Sequence, residues 1–395
     1  MYFEDRRRLG ELFQLEVGRV SCDDKIDIVT LPFSSTAGEL LSAWPAADAT
    51  DGGLAPLAGP DATISENRRF TYPLVVRAGL RSARSVILLF HGLNEKSWAK
   101  YLPWAKELAL RTGKAVLLFP IAFHMNRAPG EWSNPRLMAR VAAERQRRFG
   151  PLTDSSFVNA ALSTRIQSAP DRFLRSGLAT YYDIAKLATE IRAGQHPLID
   201  RGATLDIFGY SIGAFLAEVL LFANPEGHFG ESKAFLFCGG ATLSGMTPVS
   251  RFIMDSRAEE ALSSFFTDRF ETELSGDTPL SRLFERIQAL GTVFKSLLDA
   301  DRLKAFRDRQ LQSIGRRLAA VALAKDRVIP GNEIARTLSG SSGTATEGGV
   351  WPRAHVLDFP FPYSHENPFP LLAQFRAEIE RSFEGLFRLA ADFLA

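Results

Sequence analysis

Short apolar runs alternate with amphipathic segments along most of this chain, and that alternation restricts the folds it can adopt. The runs are apolar on both faces, as in strands of a parallel sheet that helices cover on each side. They lie at residues 72–76, 86–90, 115–119, 205–208, 234–237, 318–323 and 356–359. Helical patterns occupy residues 98–111, 172–192 and 212–222 between them. We therefore predict an α/β fold with a doubly wound, mostly parallel sheet.

The chain has 395 residues, which is enough for one large α/β domain that carries insertions. We expect an N-terminal extension, a core in two parts, an insertion and a helical cap. In that scheme the extension is 1–69, the core is 70–245 and 318–395, the insertion is 121–171 and the cap is 246–317. The cap has apolar residues at helical spacing, so we expect it to roof a pocket. The residues expected to do so are Phe265, Phe266, Phe284 and Phe294. The alternative is that these apolar faces bury only against the core.

Composition argues against several classes of partner. A net charge of +2, from 47 basic and 45 acidic side chains, creates no field that would attract nucleic acid or an anionic membrane. No apolar stretch of about 18 residues occurs, so membrane insertion is not expected. Cys22 and Cys238 cannot build a disulfide framework, and the first residues lack the apolar core of a signal peptide. We expect a cytoplasmic protein, although a mature secreted form would have the same composition.

No cofactor or metal is expected. The sequence contains no glycine-rich phosphate-binding loop followed by lysine. It also has no cysteine and histidine spacing that is typical of zinc sites.

One pentapeptide, Gly209-Tyr210-Ser211-Ile212-Gly213, lies directly between a predicted strand and a predicted helix. A serine at such a tight turn projects its hydroxyl above the sheet, and glycines on either side remove side chains that would collide there. The alternative is an ordinary glycine-rich turn with no chemical role. The strand before the pentapeptide and the helix after it favour Ser211 as a nucleophile.

A second apolar run ends in His91-Gly92-Leu93-Asn94. Together with the pentapeptide, this pattern resembles the α/β-hydrolase superfamily, and in particular a bacterial branch of uncharacterised hydrolases. The resemblance covers the predicted core and not the cap. It implies that the backbone N–H groups of Leu93 and Ile212 form an oxyanion hole. It also implies that His91 orients the loop without transferring a proton.

The base should follow Ser211 in the chain, because the superfamily has the order nucleophile, acid, histidine. Three histidines qualify. We expect His228 in a surface loop, and His355 at the start of the last strand, which is the wrong end for catalysis. His365 follows that strand at the edge where active sites of parallel sheets lie. We therefore predict that His365 is the base.

Asp326 is the predicted acid. It comes immediately after the apolar run at 318–323 and resembles the superfamily's acid loop. In that role it would fix the tautomer of His365 and stabilise its protonated form. Asp358 and Glu366 are rivals by proximity, but Asp358 is predicted within the strand and Glu366 adjoins the histidine.

Further residues are weaker candidates for a substrate pocket. Asn94 and Tyr210 adjoin the two turns, and His124, Arg127 and Trp132 follow the run at 115–119 at its catalytic end. The arginine would either grip a substrate carboxylate or form a salt bridge that anchors the insertion.

The resemblance implies hydrolysis of small carboxylic esters through a Ser-His-Asp triad and an acyl-enzyme. Two alternatives stay open: an acyltransferase that excludes water, and a catalytically silent binding protein on the same fold. Neither the substrate's identity nor the oligomeric state follows from the sequence.

Overall fold

The computed structural model describes residues 2–38, 57, 59–339 and 353–395. Its centre is a nine-stranded sheet in the order β1-β2-β3-β5-β4-β6-β7-β8-β9. The strands are β1 (Gly18–Ser21), β2 (Ile26–Ser34), β3 (Arg69–Arg77), β4 (Ala83–Phe90), β5 (Ala115–Leu118), β6 (Ile199–Tyr210), β7 (Ala234–Phe237), β8 (Leu318–Leu323) and β9 (Arg353–Leu357). All neighbours from β5 to β9 are parallel, whereas β1, β2 and β3 are antiparallel to their neighbours. The predicted α/β-hydrolase fold is confirmed.

Helices pack on both faces of this sheet. They are α1 (Tyr2–Leu12), α2 (Ser65–Arg68), α3 (Tyr101–Thr112), α4 (Pro135–Phe149), α5 (Ala160–Ser168), α6 (Arg172–Arg192), α7 (Ile212–Ala223), α8 (Ser256–Ser264), α9 (Phe270–Ser275), α10 (Pro279–Arg286), α11 (Gln288–Ser296), α12 (Lys304–Ile314), α13 (Gly331–Leu338) and α14 (Arg376–Leu394). No helix in the described ranges is long and apolar enough to cross a membrane.

The core has two layers because successive strand residues point to opposite faces. In β6, Ile207 packs in the cluster that contains Leu187 of α6 and Leu216 of α7. The next residue, Phe208, packs in the opposite cluster with Trp104 of α3 and Phe387 of α14. The sheet is therefore buried on both faces, as the apolar runs predict.

The N-terminal residues contribute to the same sheet. β2 pairs with β3 along nine residues, from Ile26 opposite Arg77 to Ser34 opposite Arg69. Tyr2 of α1 is buried, and its hydroxyl donates to the carbonyl of Phe369 at 2.9 Å. The predicted N-terminal extension at 1–69 therefore contributes α1, β1 and β2, and β2 pairs with β3 in the central sheet.

The last strand differs from its prediction. Apolar residues predicted a strand at 356–359, but β9 is Arg353–Leu357. Its register is fixed by pairing with β8, which places Ala319 opposite Arg353 and Leu323 opposite Leu357. Because β9 is the edge strand, polar residues such as the exposed His355 are tolerated there, and the apolar pattern misses its start.

Candidate active site

Ser211 lies at a strained turn between β6 and α7. Its φ of 56° and ψ of −121° are rare for a residue with a side chain. A Cβ on Gly209 would lie 2.6 Å from the carbonyl oxygen of Gly213. A Cβ on Gly213 would lie 2.5 Å from the carbonyl oxygen of Phe90 in β4. The turn therefore requires glycine at both positions, and these close contacts explain the two glycines of the pentapeptide.

The structure places Ser211, His365 and Asp326 in one hydrogen-bonded chain. His365 Nε2 lies 2.7 Å from Ser211 Oγ, and His365 Nδ1 lies 2.7 Å from Asp326 Oδ2. Since a carboxylate oxygen only accepts, Nδ1 carries a proton and Nε2 is free to accept one from the serine hydroxyl. All three residues are at least 95% buried. The arrangement has the geometry that nucleophilic catalysis by serine requires.

The second oxygen of Asp326 is also held. Oδ1 accepts from the backbone N–H groups of Val328 at 2.9 Å and Ile329 at 3.0 Å. These two bonds fix the plane of the carboxylate. The short apolar pair that follows Asp326 in the sequence therefore supplies the N–H groups that orient it.

The rival acids and bases lie elsewhere. His228 is in a loop with Glu226, 3.2 Å from its carboxylate, and His355 is exposed in β9. The exposed Asp358 pairs with Lys325. Glu366 accepts a hydrogen bond from the Ser250 hydroxyl, whereas the Nδ1 of His365 bonds to Asp326.

The loop after β4 brings Leu93 beside the turn. His91 is fully buried; its Nδ1 donates to the Gly92 carbonyl at 2.8 Å and its Nε2 accepts from the Ile121 N–H at 2.9 Å. Burial holds the pKa of His91 well below its usual range, so the ring is neutral and both nitrogens are used in holding the loop. Leu93 and Ile212 line the same cavity. The N–H of Ile212 is the first of α7, whose first donors have no partner within the helix.

A buried polar network behind this loop was not apparent in the sequence. Lys100 Nζ donates to Glu95 and also to the backbone carbonyl of Glu366, at 2.9 Å. Tyr101 Oη donates to Glu95 at 2.8 Å and accepts from the Gly92 N–H at 3.0 Å. The network therefore ties the loop after β4 to the loop that carries the histidine. Only a Glu-Lys pair five residues apart in the sequence hinted at it.

Two predicted pocket residues have distinct positions. Tyr210 does not line the cavity: its ring stacks on His365 at 5.8 Å and its hydroxyl donates to the His365 carbonyl. Asn94 lines the cavity, and its amide donates to the carbonyls of Val158 and Phe252, at 3.1 and 2.6 Å. Asn94 thus connects the loop after β4 to both inserted segments.

A largely apolar cavity adjoins the turn at Leu93 and Ile212, although Ser211 itself does not line it. The insertion contributes His124 and Trp132 to its wall. Of the four phenylalanines expected to roof it, only Phe294 does. The other three, Phe265, Phe266 and Phe284, are buried in an aromatic cluster around Phe270, so the prediction was wrong for them. Helical periodicity indicated that these rings are buried and not which surface they bury against.

Arg127 was a pocket candidate, and the structure places it away from the cavity. Its side chain is fully buried and forms an ion pair with Asp183, 2.7 Å away, in α6. It also donates to the Asn67 side chain at 3.0 Å and to the Pro120 carbonyl at 3.1 Å. The guanidinium therefore anchors the insertion, which is the alternative that the sequence left open.

One grouping of possible metal ligands occurs in the described part of the chain. Single ligand atoms of Cys238, Asp326 and His365 lie within 4.8 Å of one another. Burial, followed by the charge of Asp326, raises the pKa of the Cys238 thiol well above its usual range. A protonated thiol is a poor ligand, and His365 Nδ1 already donates to Asp326, so the donor set suits a hydrogen-bond network better than a metal.

The chain matches one family model over nearly its whole length. Residues 3–395 match the family model described as a family of unknown function, DUF6051. The chain belongs to this family. A search of curated proteins found no match.

Solved structures similar to this DUF6051 chain include three esterases. A cold-adapted esterase from an Arctic intertidal metagenomic library is 9% identical, with 95% of this chain and 99% of that chain covered and a TM-score of 0.40. A thermostable esterase from Pseudomonas putida is 11% identical, with 83% and 80% covered and a TM-score of 0.46. Carboxyl esterase 2 from Tuber melanosporum is 12% identical, with 83% and 82% covered and a TM-score of 0.45. These likenesses concern the fold, and nothing about the substrate of the DUF6051 chain follows from them.

Proposed function

We propose that this protein is a serine hydrolase that cleaves small carboxylic esters. The observation that carries the proposal is the buried chain from Ser211 Oγ through His365 to Asp326, with 2.7 Å at both links. An imidazole in hydrogen-bond contact with a serine hydroxyl, and oriented by a carboxylate, is the arrangement that makes a serine nucleophilic. Esters are favoured over amides because an alcohol is the better leaving group.

In the proposed reaction, Ser211 Oγ attacks the ester carbonyl carbon while its proton moves to His365 Nε2. Asp326 stabilises the imidazolium that forms. The oxyanion accepts hydrogen bonds from the backbone N–H groups of Leu93 and Ile212. Loss of one such donor costs about 3–4 kcal/mol of transition-state stabilisation. Nε2 then gives its proton to the departing alcohol, and a water activated by the same imidazole releases the acid from the acyl-enzyme.

The test combines labelling with kinetics. A fluorophosphonate should label the wild-type protein on the peptide that contains Ser211, and Ser211→Ala should abolish the labelling. The same variant should lower kcat for a 4-nitrophenyl ester by roughly 10³ or more, since the hydroxyl is the attacking group.

The matched control is Ser313→Ala, at an exposed serine near the end of α12, which should behave as wild type. Near wild-type hydrolysis by a folded Ser211→Ala protein, or labelling mapped to another residue, would overturn the proposal.

A further inference from the structure

The wall of the cavity contains a buried histidine with one unused nitrogen. His124 is 6% exposed, and its Nδ1 lies 2.9 Å from the carbonyl oxygen of Ala122. Because a carbonyl only accepts, Nδ1 carries the ring proton and Nε2 presents a lone pair. That Nε2 is buried and has no hydrogen-bond partner within the described residues. A buried acceptor without a donor is costly, so a donor from a bound ligand would be favoured there.

A lysine lies on the same wall. Lys96 lines the cavity, and its Nζ donates to the carbonyl of Trp132 at 2.7 Å. An ammonium has three N–H groups, and no carboxylate in the described ranges forms an ion pair with this one. Burial lowers the pKa of Lys96 to about 8, and its charge is among the causes that lower the pKa of His124 to about 4. Both groups line the same cavity and have unused hydrogen-bonding capacity.

The chemistry of these two groups determines which kind of ligand group could bond to both of them. It must donate to the lone pair of His124 Nε2 and accept from the Lys96 ammonium, and a hydroxyl does both. A carboxylate cannot donate and would require His124 to be protonated. Burial opposes that protonation, and so do the charges of Lys96, Arg127 and Arg165.

The rest of the cavity wall determines how polar the rest of the ligand can be. It is formed mainly by apolar side chains, among them Ile121, Phe123, Leu174 and Phe294. These residues suit a hydrocarbon chain, which gains free energy from burial along its length.

We propose that Lys96 and His124 form a hydroxyl-binding subsite, so that the preferred ester carries a hydroxyl on an otherwise apolar chain. This inference rests on the proposed ester hydrolase function. A site built to bond a substrate hydroxyl discriminates against the analogue that lacks it, because its own polar groups are then left unpaired. We expect discrimination of about tenfold or more in kcat/KM.

The experiment compares methyl esters that differ only at the chain end. For acyl chains of six to ten carbons, each ω-hydroxy ester is paired with the isosteric ester in which methyl replaces the hydroxyl, and with the ω-carboxylate. A mirrored set places the hydroxyl on the alcohol part as ω-hydroxyalkyl acetates. In wild type, one chain length should show the hydroxyl preference, and its hydroxy-to-methyl ratio should fall toward one in Lys96→Met and in His124→Phe.

Lys186→Met is the matched control, because Lys186 lies outside the cavity and donates to the carbonyl of Ser34. It should keep the wild-type ratio. The subsite would be overturned if wild type preferred the methyl or carboxylate ester at every chain length. It would also be overturned if the hydroxy-to-methyl ratio stayed the same in both cavity variants.

A direct binding measurement separates the two proposals. Calorimetric titration of the Ser211→Ala protein with the same hydroxy and methyl esters reports the subsite without any turnover. Tighter binding of the hydroxy ester with no hydrolysis by wild type would support the subsite and refute the esterase. If wild type hydrolyses the esters and the Ser211→Ala protein binds both equally well, the esterase would be supported and the subsite refuted.

Discussion

A buried carboxyl on the helix that follows Ser211 should make the stability of this protein depend on pH. Glu218 is fully buried in α7, and neither of its carboxylate oxygens has a hydrogen-bond partner among the described residues. Burial raises its pKa from 4.5 to about 8, and the charge of Arg307 opposes that rise only in part. The folded protein thus holds this carboxyl in its neutral form at neutral pH.

The size and sign of the effect follow from that pKa. Between 4.5 and about 8 the folded state binds this proton and the unfolded state has released it, so the free energy of unfolding falls as the pH rises. Each pH unit in this window is worth about 1.4 kcal/mol, which gives at most about 5 kcal/mol by pH 8. Below pH 4.5 the carboxyl of Glu218 is protonated in both states, so its titration no longer lowers the free energy of unfolding.

Glu218→Gln removes the titration. The amide has unsatisfied groups of its own, but their cost is the same at every pH, so the informative quantity is the slope. Urea denaturation of wild type and variant at pH 5, 6, 7 and 8 should show the variant gaining stability relative to wild type by several kcal/mol across the series. Glu231→Gln, at an exposed position, should not. A difference between Glu218→Gln and wild type that is constant with pH would refute the reasoning.

Two further predictions concern the catalytic turn and its acid. Asp326→Asn should lower kcat for a 4-nitrophenyl ester by roughly 10⁴, because an amide stabilises the wrong tautomer of His365; steady-state rates near those of wild type would contradict this. Gly213→Ala should destabilise the fold by about 1–3 kcal/mol in urea denaturation, since its Cβ would lie 2.5 Å from the carbonyl oxygen of Phe90. Gly385→Ala is the control, at a helical position with open space around it, and it should be neutral or stabilising.

The core of the fold could be predicted because its strands are buried on both faces and therefore read as apolar runs. The same reasoning placed Ser211, Asp326 and His365 together: each follows a parallel strand, and the carboxyl ends of parallel strands lie at one edge of the sheet. The catalytic roles of these residues stay predictions. What the structure adds is that the three side chains lie within hydrogen-bond distance.

The inserted segments could not be interpreted in this way. A buried arginine looks the same in the sequence whether it binds a ligand or pairs with an aspartate. For Arg127 the answer depends on Asp183, which is distant in the chain and forms the ion pair in the folded protein. The phenylalanines of 246–317 are all apolar at helical spacing, yet only Phe294 faces the cavity. The place of the N-terminal extension at 1–69 could not be interpreted from the apolar runs either, because β2 joins the sheet by pairing with β3, which is far from it in the chain.

The proposed reacting groups and the wall of the cavity come from different parts of the chain. The groups proposed to carry out the reaction follow core strands, where the sheet fixes their positions. His124 and Trp132 belong to the insertion, and Leu290 and Phe294 to the helical segment at 246–317, so inserted chain supplies part of the cavity wall, whereas Lys96 belongs to the loop after β4. Asn94 is one direct link, because its backbone lies beside the proposed oxyanion donor of Leu93 while its amide donates to carbonyls of both inserted segments. Changes in the insertions should therefore alter which ester binds and, through Asn94, how well the oxyanion is held. Changes at Ser250 should also reach the loop that carries His365, because the Ser250 hydroxyl donates to Glu366.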